Sequence, residues 1–249
     1  MMHRGSGFFQ DDCARPHYIG DFVPDHTPEP TVPQDRHLIL YHAPRSRSAS
    51  ARMLLEELNA NYELHAFDLR SGEHRKPDYL GINPMGKVPA LRHGDAVITE
   101  QAAVHLYAAE LYPEAGLAPA VGDSLRGSYL RWMVFYGSCF EPAVVDRSMN
   151  RPPAAYSASP YGDFDTVINT ICAQLDKGPY LLGERFTAAD VLWGAALNWT
   201  TMFKLVPETP VVRAYIDRIL ARPAIQRAQA ADAALAAQHD KARPAAAPS

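Results

Sequence analysis

Asn83-Pro84-Met85-Gly86-Lys87-Val88-Pro89-Ala90-Leu91, followed by Thr99-Glu100-Gln101, is the stretch of this 249-residue chain best suited to recognise another molecule. It sets prolines and a glycine ahead of a short apolar strand. Pro89 has no N–H to give to a sheet ladder, so it belongs at a strand start. A cis bond between Val88 and Pro89 would turn the Val88 N–H and C=O toward a ligand. An exposed backbone pair of that kind binds an extended peptide by strand addition. The motif therefore implies a small peptide-like ligand. A second cluster, Pro44-Arg45-Ser46-Arg47-Ser48, places hydroxyls at what reads as a helix start. The histidines suggest no metal chemistry: His37, His42, His65, His74, His93 and His105 form no HxxxH or HExxH pair.

The elements around these clusters are legible from their periods. Leu38-Ile39-Leu40-Tyr41 reads as a buried strand broken by Pro44. Ala51, Leu54, Leu55 and Leu58 fall on one face of a following helix. Tyr62 to Phe67 alternate as a second strand, which makes a right-handed parallel βαβ unit. Residues 88–92 and 95–98 read as a hairpin around His93-Gly94-Asp95, and a helix over 100–112 ends at Pro113. From 123 onward only helical spacing is found. There Phe186-Thr187-Ala188-Ala189-Asp190 carries a capping box with a hydrophobic staple. The expected layout is an arm or disordered leader at 1–37, a βαβ–ββα domain at 38–117, an all-helical domain at 123–238 and a flexible Ala/Pro-rich tail at 239–249.

Composition narrows the function classes. The chain is 47% hydrophobic and 21% charged with net charge −4, which fits a soluble protein and argues against nucleic acid as a partner. Cys13, Cys139 and Cys172 are odd in number and far apart, so no disulfide framework is expected and a reducing cytoplasm is the default. No apolar run approaches the ~18 residues of a membrane span, and none has the form of a signal peptide.

Three motifs in order resemble the cytosolic glutathione S-transferases: residues 41–48 as the first strand-to-helix loop, 83–91 as the turn before the third strand, and 181–190 as the cap motif of the helical domain. The resemblance covers residues 38–238. It implies a thioredoxin-like N-terminal domain followed by an all-helical one, glutathione as co-substrate, no metal, and a homodimer. The implied reaction adds glutathione, held as thiolate, to a small hydrophobic electrophile. The competing reading is a glutathione- or ligand-binding protein of the same fold with little catalysis.

A free thiol ionises near pH ~8.5, so the site must favour the thiolate. A hydrogen bond to a charged group contributes about 1.5–3 kcal/mol, or roughly one to two pKa units. The resemblance puts the catalytic hydroxyl at Ser46, with Ser48 as the second candidate. Arg47 stands where cysteine-type members carry their cysteine. Val88, set by Pro89, should pair with the cysteinyl backbone. Glu100 should meet the γ-glutamyl amine, and the N-terminus of the helix starting near residue 100 should receive the γ-glutamyl carboxylate. Gln101 stands where the family's usual serine is missing, and its side-chain N–H₂ can still donate to that carboxylate. Lys87 either meets the glycyl carboxylate or faces water, and Arg47 either steers the anionic ligand or faces water. Tyr136, Cys139 and Phe140 are the candidates for the second-substrate cleft.

Overall fold

The computed structural model describes residues 36–152 and 154–242. The expectation for an N-terminal arm therefore lies outside the described residues, apart from its last two positions. The first unit is a four-stranded mixed sheet of order β2-β1-β3-β4. β1 (Leu38–His42) runs parallel to β2 (Tyr62–Ala66), with Leu38 opposite Tyr62 and His42 opposite Ala66. α1 (Ser48–Glu57) makes the crossover. β3 (Ala90–His93) pairs antiparallel with β1, and turns at Gly94 (φ 56°) into β4 (Ala96–Ile98). A short α2 (Pro77–Leu80) precedes β3, and α3 (Gln101–Leu111) follows β4.

Leu38 and Leu40 of β1 meet Leu54 and Leu55 of α1 and Leu91 of β3 in a water-free layer. Burying a side chain of this size favours folding by about 1.5–3 kcal/mol, so the sheet holds its register through this layer. The opposite face carries Tyr41, Phe67 and Tyr79 packed ring to ring.

The remaining elements are helical. α4 (Arg126–Phe135) runs through a π-turn at Tyr136–Phe140 into α5 (Glu141–Ser148). α6 (Phe164–Leu175), α7 (Ala188–Met202), α8 (Pro210–Leu220) and α9 (Pro223–Ala242) follow. α7 is central and buried, and Trp193 on it meets Trp132, Tyr136 and Phe140 edge-on or tilted. α9 lies along α1 and reaches Ala242, so residues 239–242 are helical rather than part of a flexible tail. The reason is physical. The run is alanine-rich, alanine is the best helix former, and Asp240 pairs with Arg45 and Arg70 of the sheet unit. No described helix is long and apolar enough to cross a membrane.

The start of α7 is fixed by Asp190. Its carboxylate accepts the Thr187 N–H (2.8 Å), the Leu181 N–H (2.8 Å) and the Tyr215 hydroxyl (2.9 Å). Thr187 completes the capping box. Burial pushes the Asp190 carboxyl up to about 6 against the pull of these donors. The usual value is about 3.9. Between these pH values the native state binds more protons than the unfolded one, so this group's contribution falls as pH rises from about 4 to 6. Asp190→Asn turns an amide N–H₂ toward the donors and is expected to destabilise by about 1–3 kcal/mol. Denaturant melts of both proteins across that window should show the gap between them narrowing as pH rises, then levelling off.

Candidate active site

The loop from β1 to α1 is drawn tight by its own hydroxyls. Ser46 Oγ donates to the Ala43 carbonyl (2.8 Å), accepts the Ser48 N–H (3.2 Å) and lies 2.7 Å from Ser48 Oγ. Arg45 adopts a left-handed conformation (φ 59°) to make the turn. Ser46 is half-buried and lines a cavity of about 550 Å³, whereas Ser48 is 0% exposed. Ser48 accepts the Ala43 N–H (3.0 Å) and sits 2.9 Å from His42 Nδ1. As a group that touches a ligand, Ser48 is therefore corrected: it is sealed beneath the loop and supports Ser46 from behind.

The 83–91 segment presents its backbone. The Val88–Pro89 bond is cis. The Lys87 carbonyl is held by the Tyr79 hydroxyl (2.6 Å) and Asn83 Nδ2 (2.8 Å), and Asn83 also accepts the Met85 N–H. Gly86 has φ 59° and packs close to the His74 carbonyl, which leaves no room for a side chain. Among the described residues no hydrogen bond occupies the Val88 N–H or C=O. Val88 and Pro89 line a second cavity of about 260 Å³, together with Glu100, Gln101 and Ala102 at the start of α3. Glu100 is exposed with φ 64°, and Lys87, exposed, does not line this cavity.

Gln101 and Arg47 stand in the wall between the two cavities, and both are committed to protein partners. Gln101 Nε2 donates to Ser50 Oγ (2.6 Å) and the Arg47 carbonyl (3.1 Å), and its Oε1 accepts from the Tyr136 hydroxyl (2.8 Å). Its amide N–H₂ is thus engaged by the protein, and the N-terminal backbone N–H groups of α3 stand beside it. Arg47 does not simply face water. Its guanidinium is bidentate on Glu141 (2.9 and 2.7 Å) and lies 5.1 Å from the Trp199 ring centroid. The hydrogen bond to Glu141 is the main reason its pKa rises further. The Tyr136 hydroxyl also binds Glu141. Burial, then the charge of Glu141, keeps this phenol well above its ordinary pKa, so it is a neutral donor.

The second-substrate candidates divide. Tyr136 and Gly137 reach the smaller cavity. Phe140 is 0% exposed and packs tilted against Trp193, ring centroids 4.9 Å apart, so it belongs to the core. Cys139 packs partly buried beside Ser138 and lines neither cavity. The larger cavity instead takes its apolar wall from Met53, Ala195, Ala196, Trp199, Met202 and Phe203. No signal in the sequence marks Trp199, Met202 and Phe203 as the wall of a cavity, or Glu141 as the partner of Arg47. No group of three or more metal-ligating side chains is found among the described residues.

Comparison with known proteins bears on the family. Residues 36–110 match the family model described as glutathione S-transferase, N-terminal domain, and residues 161–223 match the C-terminal domain model. Glutathione S-transferase 3 of Zea mays is 30% identical over 210 residues, covering 78% of this chain and 94% of the relative. GstA of Escherichia coli O157:H7 is 25% identical, covering 78% and 98%. Among solved structures, a glutathione transferase from Methylococcus capsulatus is 30% identical with TM-score 0.67 over 79% of this chain and 99% of its own. A Sulfitobacter homologue with bound glutathione is 27% identical with TM-score 0.63, covering 79% and 99%. The chain belongs to the glutathione S-transferase family, a family of transferase enzymes.

The Arg47–Glu141 pair joins the β1–α1 loop to α5, and its worth is measurable. Arg47→Ala leaves Glu141, 17% exposed, without its cation. Arg47 itself is 43% exposed, so solvent screening holds the expected loss to about 1–2 kcal/mol. In a double-mutant cycle with Glu141→Ala, the coupling should be at least about 0.5 kcal/mol. Additive single effects would mean that the pair contributes nothing to stability.

Proposed function

We propose that this protein conjugates glutathione to small apolar electrophiles, using Ser46 as the hydroxyl that holds the thiolate. The observation that carries the reading is the position of Ser46. It lines the larger cavity at the start of α1, while Ser48 is sealed from it. The unused N–H and C=O of Val88 suit the cysteinyl residue of glutathione. The N-terminal N–H groups of the eleven-residue α3 suit the γ-glutamyl carboxylate. Glu100, which lines the smaller cavity, is assigned the γ-glutamyl amine, and the exposed Lys87 next to Val88 the glycyl carboxylate. With the backbone so placed, the sulfur points toward the β1–α1 loop.

There the Ser46 O–H turns from the Ala43 carbonyl to the sulfur, a charged acceptor that makes the stronger bond. That bond lowers the thiol pKa by roughly one to two units, and the N-terminus of α1 adds about 0.3–1 kcal/mol. The thiolate is then abundant at neutral pH. Its lone pair forms the C–S bond to an electrophilic carbon, and the displaced electron pair leaves with the leaving group or moves into the substrate's conjugated system. The wall of Trp199, Phe203, Met202 and Met53 favours flat, apolar, aromatic electrophiles. Nothing in this geometry favours a carrier protein over an enzyme. The family context supports a cytoplasmic homodimer, which sedimentation at micromolar concentration checks: a purely monomeric species would refute it.

Steady-state kinetics with glutathione and chlorodinitrobenzene test the main reading. Ser46→Ala should lower kcat about 10–100-fold with glutathione affinity nearly unchanged. Trp199→Ala should raise KM for the electrophile and leave that for glutathione within about twofold. Wild-type kcat in Ser46→Ala would exclude the serine assignment.

A further inference from the structure

Behind Ser46 a line of polar groups continues into the protein. Ser48 Oγ lies 2.7 Å from Ser46 Oγ and 2.9 Å from His42 Nδ1. His42, at the end of β1, is wholly buried. On the other edge of its ring, Nε2 lies 3.0 Å from Asp232 Oδ1 of α9. That approach is too bent to count as a hydrogen bond, so Nε2 has no aligned partner among the described residues and Asp232 supplies charge instead. Arg52 of α1 fixes the same carboxylate oxygen at 2.6 Å. Asp232 is the charged group beside the ring, with Arg52 paired to it, and on β2 the strand partner of His42 is the uncharged Ala66. Burying an imidazole among polar groups is costly unless they are used. A mechanism built on Ser46 alone leaves this one idle.

We propose that His42, backed by Asp232, is the terminal acceptor of the thiol proton, reached through two serine hydroxyls. The proposal rests on the reading that the glutathione sulfur meets Ser46. The thiol passes its proton to Ser46 Oγ, Ser46 passes its own to Ser48 Oγ, and Ser48 passes its own to His42 Nδ1. One S–H bond breaks and one N–H bond forms; the electron pair stays on sulfur, and no oxidant or reductant is needed. Asp232 offsets the charge of the imidazolium, as the carboxylate does beside the histidine of a hydrolytic triad.

After transfer the chain runs the other way. His42 Nδ1–H donates to Ser48, Ser48 donates to Ser46, and Ser46 donates to the thiolate. Each bond in such a chain polarises the next. The two neutral hydroxyls thereby bring a buried positive charge to bear on a sulfur that it does not touch. Once the thioether has formed, the proton returns along the same hydroxyls to the open cavity. His42 and Asp232 act through Ser48 and Ser46, so they are positioning residues. Asp232 makes the C-terminal helix part of the site.

The ultraviolet absorbance of the bound thiolate, followed against pH, tests this. His42→Asn keeps an amide within reach of Ser48 but accepts no proton. It should raise the ionisation midpoint of bound glutathione by about one unit, roughly a three- to eightfold loss of thiolate near neutral pH. Binding of S-methylglutathione, which has no thiol proton, should stay unchanged. Asp232→Asn should shift the midpoint the same way by less. Unchanged midpoints in both variants overturn the relay, as does a shift matched by an equal loss of S-methylglutathione affinity. If His42→Asn does not fold, an unchanged midpoint in Asp232→Asn alone overturns it. A wild-type protein that binds S-methylglutathione but shows no thiolate signal refutes the relay and the Ser46 reading while leaving glutathione binding intact. Failure to bind S-methylglutathione refutes the binding reading itself.

Discussion

The loop between β1 and α1 is held by charges that come from far along the chain. Glu141 grips Arg47. Asp232 meets His42 and Arg52, and Asp240 binds Arg45 and Arg70. A hydroxyl favours a thiolate only if it already stands where the charge will form, because a donor that must first be ordered loses that entropy from its effect. Residues 42–48 are therefore not an independent loop. They are the place where the helical unit is fastened to the sheet, and their stiffness is set there.

The same fastening shapes the cavities. Arg47 and Gln101 form the wall between the smaller cavity beside Val88 and the larger one beside Ser46. Both side chains spend their hydrogen bonds on Glu141, Ser50, Tyr136 and the Arg47 backbone. In the proposed binding mode, much of the recognition of a peptide-like ligand then falls to backbone groups, at Val88 and at the first turn of α3. Backbone donors fixed by a sheet and a helix are rigid and need little reorganisation on binding. Side chains in this site mainly hold the frame, and Ser46 is the one of the loop's two candidate hydroxyls left facing the larger cavity.

Much of this was readable from the sequence because it is local. Strand and helix periods give the βαβ–ββα order and the helices, and Thr187 to Asp190 announce the start of α7. The Val-Pro turn at 88–89 declares a backbone surface from a few adjacent residues. What was missed depends on distance or on register. Asp232 and Asp240 sit in an alanine-rich helix with no mark of function, and only packing of α9 on α1 brings them to the loop. The π-turn at 136–140 inserts a wider turn between α4 and α5, so simple helical spacing misplaces Phe140, which turns inward onto Trp193. Trp199 keeps helical spacing with buried residues, and sequence alone does not distinguish the end of a core face from the rim of a cavity.

The central claim is that glutathione lies with its cysteinyl backbone on Val88 and its sulfur against Ser46. A crystal structure of the glutathione complex tests it most directly. The expected result is the sulfur within hydrogen-bonding distance of Ser46 Oγ, the Val88 N–H and C=O both paired to the cysteinyl residue, and the γ-glutamyl carboxylate at the first turn of α3. A sulfur bound instead to Ser50 or the Tyr136 hydroxyl, or a ligand that leaves the Val88 backbone unpaired, would contradict the account.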